Sequence, residues 1–153
     1  MGTDTEEQVV VFELGREAYG VDIARVHEII RMQTITAVPR APQFVEGVIN
    51  LRGKVIPVVD LRRRLGQPAA EATRATRIVV VDIGVHTVGM IVDAVSEVLR
   101  VPAGAVEPPS SLVTTVDSEY LRGIAKLDDR LIILLDLDKV LTRSEQGAIG
   151  RVA

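Results

Sequence analysis

The sequence predicts a mainly β protein made of two copies of one small barrel-like unit, each closed by a short helix. Three observations predict it. The apolar content is 47% and almost wholly aliphatic, with two Phe, two Tyr and no Trp; it is rich in Val and Ile, whose branched side chains suit a pleated sheet. Short apolar runs are punctuated by Gly, Pro and Asp, the pattern of brief strands joined by turns. The chain also repeats itself. Residues 12–30, FELGREAYGVDIARVHEII, align without gaps on residues 81–99, VDIGVHTVGMIVDAVSEVL, and residues 44–65 align on 120–141. Gly15 meets Gly84, Gly20 meets Gly89 and Glu28 meets Glu97 in the first block; Gly47 meets Gly123 and Asp60-Leu61 meets Asp136-Leu137 in the second. The offsets are 69 and 76 residues, so the second copy holds seven extra residues within VPAGAVEPPSSLVTTVDSE, a loop by its Pro, Ser and Thr content.

Each copy opens with a strand, Val9 to Leu14 or Ile78 to Ile83, that runs into a glycine turn. In the second copy Gly84-Val85-His86-Thr87 leads straight into a strand over Val88 to Val92. DIARVHEII and its counterpart DAVSEVL fit both helical and strand spacing; the run is short and rich in Val and Ile, which predicts one helical turn followed by a strand. A proline-bearing loop, Val38-Pro39 to Ala41-Pro42, precedes a hairpin whose apolar arms, Val48 to Leu51 and Val55 to Val59, flank Arg52-Gly53-Lys54. Asp60, then LRRRL, Gly66 and Pro68 read as a capped one- or two-turn helix with a glycine stop, and Asp136 before LDKVL repeats the start. GQPAAEATRA, residues 66–75, is the expected crossover. The expected boundaries are 8–66, with part of the first barrel, and 76–142, with most of the second; residues 1–7 and 143–153 read as flexible tails. Two such barrels side by side leave a groove between them.

Composition excludes several functions. A net charge of −3 and few aromatics argue against nucleic-acid binding. The absence of cysteine removes disulfides, thiol catalysis and Cys-type zinc sites. MGTDTEEQ has no secretory character, and no apolar run approaches the roughly 20 residues of a bilayer span; the chain is expected to be soluble and intracellular. His27 and His86 have no ligand-spaced or base partner in sequence and read as surface residues, so neither a catalytic residue nor a metal site is assigned. Asp60 and Asp136 are accounted for as caps, Asp82 as an outward strand residue, and Ser110, Ser111 and Ser118 as loop residues outside any nucleophile motif. Arg62-Arg63-Arg64 point in different directions on a short helix and read as a solvated face. No cofactor is expected.

The blocks FELGREAYGVDIARVHEII, VPRAPQFVEGVINLRGKVIPVVDLR, VVDIGVHTVGMIVDAVSEVL and EYLRGIAKLDDRLIILLDLDKVL resemble the CheW family of bacterial chemotaxis coupling proteins over roughly residues 8–142. The resemblance implies two SH3-like five-stranded barrels and a non-enzymatic scaffold at membrane-associated receptor arrays. That scaffold joins the cytoplasmic tip of chemoreceptors (methyl-accepting chemotaxis proteins) to the regulatory domain of the histidine kinase CheA, without inserting into the membrane. A related array serving surface motility or transcription is the alternative. The positions the family associates with receptor contact fall on Val26, Glu28, Gly47 and Arg52. Their chemistry suits that role: Val26 and Glu28 are in phase on a strand, Gly47 admits close approach of a helix, and Arg52 offers several donors from a hairpin tip. In the second copy that turn reads Asp128-Asp129, so Arg52 is the residue of the stretch that the shared architecture does not request.

Overall fold

A computed structural model describes residues 6–108 and 120–150. The first half contributes β1 (Glu6–Leu14), β2 (Glu17–Asp22), a one-turn 3-10 helix (Ile23–Arg25), β3 (Val26–Arg31), β4 (Val45–Leu51), β5 (Lys54–Asp60) and α1 (Leu61–Arg64). The second contributes β6 (Arg77–Ile83), β7 (His86–Val92), β8 (Ala94–Pro102), β9 (Val106–Glu107), β10 (Leu121–Leu127), β11 (Arg130–Leu135), α2 (Leu137–Val140) and α3 (Arg143–Ile149). No helix among the described residues is long and apolar enough to cross a membrane.

The strands form a five-stranded sheet, in the order β3-β6-β7-β5-β4, and a six-stranded sheet, β8-β1-β2-β11-β10-β9. Replacing each strand by its counterpart in the other copy converts the first order into the first five strands of the second. Neither sheet is a sequential half, however. The hairpin β1–β2 leaves the strands that follow it and pairs with β8 and β11, while β6–β7 fills the same place beside β3 and β5. The boundaries 8–66 and 76–142 therefore mark repeats, and the sheets trade a hairpin between them. The exchange is made at two parallel junctions, β2 with β11 and β5 with β7, where the other pairings are antiparallel.

Burial explains why these hairpins sit centrally. Val9 and Val11 pack with Ile132 and Leu134 on one face of β1, while Val10, Phe12 and Leu14 enter a cluster shared with Val79, Val81 and Ile83 of β6. On the far face of β6, Ile78 and Val80 meet Ile56 and Val58. Strands apolar on both faces need cover on both, and each sheet supplies it by burying one face alone and the other against its partner. The shared cluster also takes Leu61 of α1 and Leu137 and Val140 of α2.

The caps form as expected: Asp60 accepts from the Arg62 N–H and Asp136 from the Asp138 N–H, both at 3.0 Å. The helical turn after β2 forms because Asp22 accepts the Ala24 N–H. The second copy has no such turn, and β8 runs as strand from Ala94; Ile91 stands where Asp22 would cap. Of the insertion, the residues to Pro108 include the end of β8, a turn over Ala103–Ala105 and β9, and Ser110, Ser111 and Ser118 lie outside the described residues.

Both expected tails are corrected at their inner ends. β1 begins at Glu6, and Glu7 receives both Arg122 Nη atoms at 2.8 Å. The segment from Arg143 forms α3, despite Gly147, because long-range contacts outweigh its weak propensity. Thr142 and Glu145 make a reciprocal capping box, Ile149 is buried in the shared cluster, and Glu145 pairs with Arg64 of α1 at 2.5 Å.

Candidate functional site

The hairpin β4–β5 and the edge strand β3 carry the four candidate positions. The hairpin closes on two residues, Arg52 at φ +50° and Gly53 at φ +86°. Two successive positive φ values suit the right-handed twist of the strands they join. Asn50 Oδ1 accepts the Gly53 N–H at 2.8 Å and steadies the turn. A glycine meets the demand easily; an arginine has a Cβ that disfavours the left-handed region.

The structure brings Glu28 and Arg52 into direct contact. The guanidinium reaches across with both terminal nitrogens, Nη1 to Glu28 Oε1 at 3.2 Å and Nη2 to Oε2. Such a fork matches a carboxylate in both geometry and charge. Arg52 keeps 72% of its side-chain surface exposed, whereas Glu28 keeps 28%. The Arg52 hydrogen bonds hold the Glu28 carboxyl below its ordinary range, against the opposing effect of desolvation. The pair therefore presents a cation outward, over a carboxylate half sunk in the strand.

Val26 begins β3, where half-buried and exposed residues alternate with Val26, Glu28 and Ile30 half-buried. A bulge at His27 shifts the register against β6, so Val26 faces Val81 and Glu28 faces Val80. Val81 points into the shared cluster and Val80 into the cluster with Ile56 and Val58, so the bulge puts Val26 and Glu28 on opposite faces, where their spacing alone predicts one. Val26 packs on the shared core. His27 points its Nε2 at Asp82 Oδ1, 2.7 Å away. Both members of that pair are substantially exposed.

Gly47 is explained by packing. It sits at a bulge in β4 with φ +157°, beside Thr36. Thr36 and Val48 exchange backbone hydrogen bonds at 2.9 and 2.8 Å. A Cβ on Gly47 would run into the Thr36 carbonyl oxygen and lie 2.7 Å from Ile35 Cγ2. Gly123 occupies the matching bulge, where a Cβ would meet Val106 at 2.7 Å and the Glu107 carbonyl at 3.0 Å.

The three arginines of α1 do not form a solvated face. Arg62 donates to both Asp93 oxygens, at 2.8 and 2.5 Å, with 17% of its side chain exposed. Arg64 pairs with Glu145 and lies over the Phe44 ring, 5.7 Å from its centre. Arg63, the most exposed, pairs with Glu46 at 2.5 Å. Pointing in different directions let each find a different carboxylate, and those partners lie 17 to 81 residues away, beyond any local pattern. Arg62 holds the Asp93 carboxyl below its ordinary range, and the Gly15 N–H helps, donating to Asp93 at 2.8 Å. Among the described residues no three His, Cys, Asp or Glu side chains gather as a metal ligand set.

Comparison with known proteins agrees with this architecture. Residues 8–145 match the family model described as a CheW-like domain. The chemotaxis protein CheW of Klebsiella aerogenes is 36% identical over 152 residues, 99% of this chain and 92% of that protein. Protein FrzA of Myxococcus xanthus is 32% identical over 148 residues, 95% of this chain and 92% of that one. The crystal structure of the scaffolding protein TtCheW from Thermoanaerobacter tengcongensis superposes with a TM-score of 0.82 at 43% identity, covering 91% of this chain and 90% of that one. The chain belongs to the CheW-like family.

Proposed function

We propose that this protein is a non-enzymatic adaptor of chemotaxis signalling that couples the cytoplasmic tip of chemoreceptors to the regulatory domain of the CheA histidine kinase. It acts in the cytoplasm, recruited to receptor arrays at the membrane. The observation that carries the reading is whole-chain membership of the CheW-like family, from β1 to α3. Val26, Glu28, Gly47 and Arg52 are the receptor-facing positions, with unequal roles. Arg52 presents donors to a partner, Glu28 anchors and orients it, Val26 fixes the start of β3 on the shared core, and Gly47 keeps the hairpin seated on the 34–36 segment. The likeness to FrzA favours one second reading, the same coupling role in a related array controlling surface motility or transcription.

Co-sedimentation with a receptor cytoplasmic fragment and CheA tests the proposal, and a chain that joins neither partner defeats it. Arg52→Glu is expected to weaken receptor association by roughly tenfold while kinase association persists. The exchange Glu28→Arg with Arg52→Glu separates two roles. It restores an ion pair with the charges reversed, so renewed receptor association means that the pair matters for shape, and continued loss means that the outward cation is itself the contact.

A further inference from the structure

Where β3 ends and β6 begins, Arg31 and Arg77 stand directly opposite each other in the ladder. Like charges facing across a strand pair destabilise a sheet, and here no compensation is visible: among the described residues neither guanidinium is ion-paired with a carboxylate. A third arginine, Arg74, joins them in lining a concavity of about 430 Å³ together with Met32, Thr73 and Thr76. The chain has more acids than bases, 21 against 18. Several other arginines are given a carboxylate, as with Arg25 and Asp138, Arg62 and Asp93, and Arg122 and Glu7; what distinguishes Arg31, Arg74 and Arg77 is that they share one concavity.

Arg77 and the two threonines of this concavity are held in place. Arg77 Nη1 donates to the carbonyls of Arg74 and Thr76 at 2.8 and 2.9 Å. Thr76 is buried, and its Oγ1 accepts the Thr73 N–H at 2.8 Å; Thr73 Oγ1 accepts the Ala75 N–H at 3.1 Å. A hydroxyl that accepts from the backbone keeps its own proton to donate. The lining thus combines three arginines and two hydroxyl-bearing threonines with one apolar residue, Met32.

The repeat supplies an internal control. The positions equivalent to Arg77 and Arg31 in the other sheet are Gln8 and Arg100, which face each other in the same register. The fold accepts a neutral partner there, so it does not require two arginines. We propose that the concavity of Arg31, Arg74 and Arg77 is a binding site for a phosphate-class oxyanion bearing two or more charges, with Thr73 and Thr76 as hydroxyl donors. Guanidinium forks match phosphate oxygens, and several such donors around one anion relieve the repulsion that the bare site carries.

The test is titration of the full chain with pyrophosphate at constant ionic strength, read by amide shifts and by the unfolding midpoint, with sodium chloride as the reference salt. Saturable shifts confined to residues 31–32 and 73–77, with a raised midpoint, are expected. Arg77→Gln and, in a loop where folding is not at stake, Arg74→Gln should each weaken binding about tenfold, as for loss of one charged hydrogen bond. Arg100→Gln should change nothing. Ligand-free Arg31→Gln should melt at or above the parent, because it removes the repulsion and leaves the Arg77 hydrogen bonds to the Arg74 and Thr76 carbonyls in place. Shifts reproduced by chloride, or binding unchanged in the Arg74→Gln, Arg77→Gln double variant, would overturn the site. Tighter binding of hexaglutamate than of pyrophosphate would overturn it in favour of an acidic polypeptide as the occupant.

Discussion

The hairpins β4–β5 and β10–β11 hold equivalent places in the two sheets and share most of their backbone devices, although Gly53 continues the left-handed turn and Asp129 does not. Each has a glycine at a bulge, Gly47 or Gly123, and each opens its turn with a non-glycine residue in the left-handed region, Arg52 at φ +50° or Asp128 at φ +54°. Each ends at an aspartate cap. The copies part in how they treat the glutamate of the neighbouring edge strand. Glu28 on β3 is taken by Arg52 at the turn itself, and Glu97 on β8 by Arg130, two residues further along the hairpin, at 2.8 Å. Both copies neutralise this glutamate with a hairpin cation, so the Glu28–Arg52 pair is partly architecture. What sets the first copy apart is placement. Its cation occupies a backbone position better suited to Asp, and the arginine stands at the outermost point of the hairpin.

Three substitutions break or sharpen this comparison. The largest effect is expected at the bulges. Gly47→Ala should cost about 3 kcal/mol, because the new Cβ meets backbone that is itself hydrogen-bonded, whereas Gly123→Ala should cost about half as much, because the two-residue strand β9 can yield. Urea unfolding of the two variants measures the difference, and equal costs would show that β9 is as firmly held as the 34–36 segment.

Next come the ion pairs at the parallel junctions, where the equivalent helix positions Arg62 and Asp138 carry opposite charges and each finds its partner one residue apart in the repeat register, at Asp93 and Arg25. Helix α1 offers Arg62 to Asp93, while α2 offers Asp138 to Arg25 at 2.7 Å. Arg62→Ala should cost about 2 kcal/mol, since it strands a carboxylate at a partly buried corner, and Arg25→Ala less than about 1 kcal/mol, since Asp138 is mostly exposed. Both carboxyls are held below their ordinary range, chiefly by hydrogen bonds from their arginines. A depressed folded pKa makes a contribution that is complete above the unfolded value of about 3.9 and is lost as pH falls through the folded value. Arg62→Ala should therefore flatten the acid limb of the stability–pH curve more than Arg25→Ala does.

The smallest effect concerns the turns. Asp128→Arg should lower stability by roughly 0.5–1 kcal/mol through backbone strain alone. Arg52→Asp should act in the opposite direction in a Glu28→Gln background, where no ion pair is lost. Thermal midpoints that move the same way for both would mean that strain at the first turn position does not govern these hairpins.

Much of this molecule is written locally. The aliphatic strands, the glycine turns, the capping aspartates and the repeat are legible because each depends on residues a few positions apart, and the repeat shows which features folding uses twice. The candidate site was half legible. The four positions could be read from the family blocks, but only the folded chain shows Glu28 and Arg52 as one unit and Gly47 as a packing requirement. Arg62 and Arg64 read as solvated in the sequence because their partners, Asp93 and Glu145, lie far along the chain. The same distance hid α3, whose core residue Ile149 is held by elements from both halves.

By itself, then, the sequence determined the class of the fold, the two copies and the devices that start and stop each element. Tertiary structure alone decided which copy's hairpin completes which sheet. Two strand sets with nearly the same apolar pattern carry no local information about their partners. The choice falls to long-range terms: the parallel junctions, the core shared between the sheets and the ion pairs across the corners. Those terms also joined Glu28 to Arg52 and gathered three arginines around one concavity.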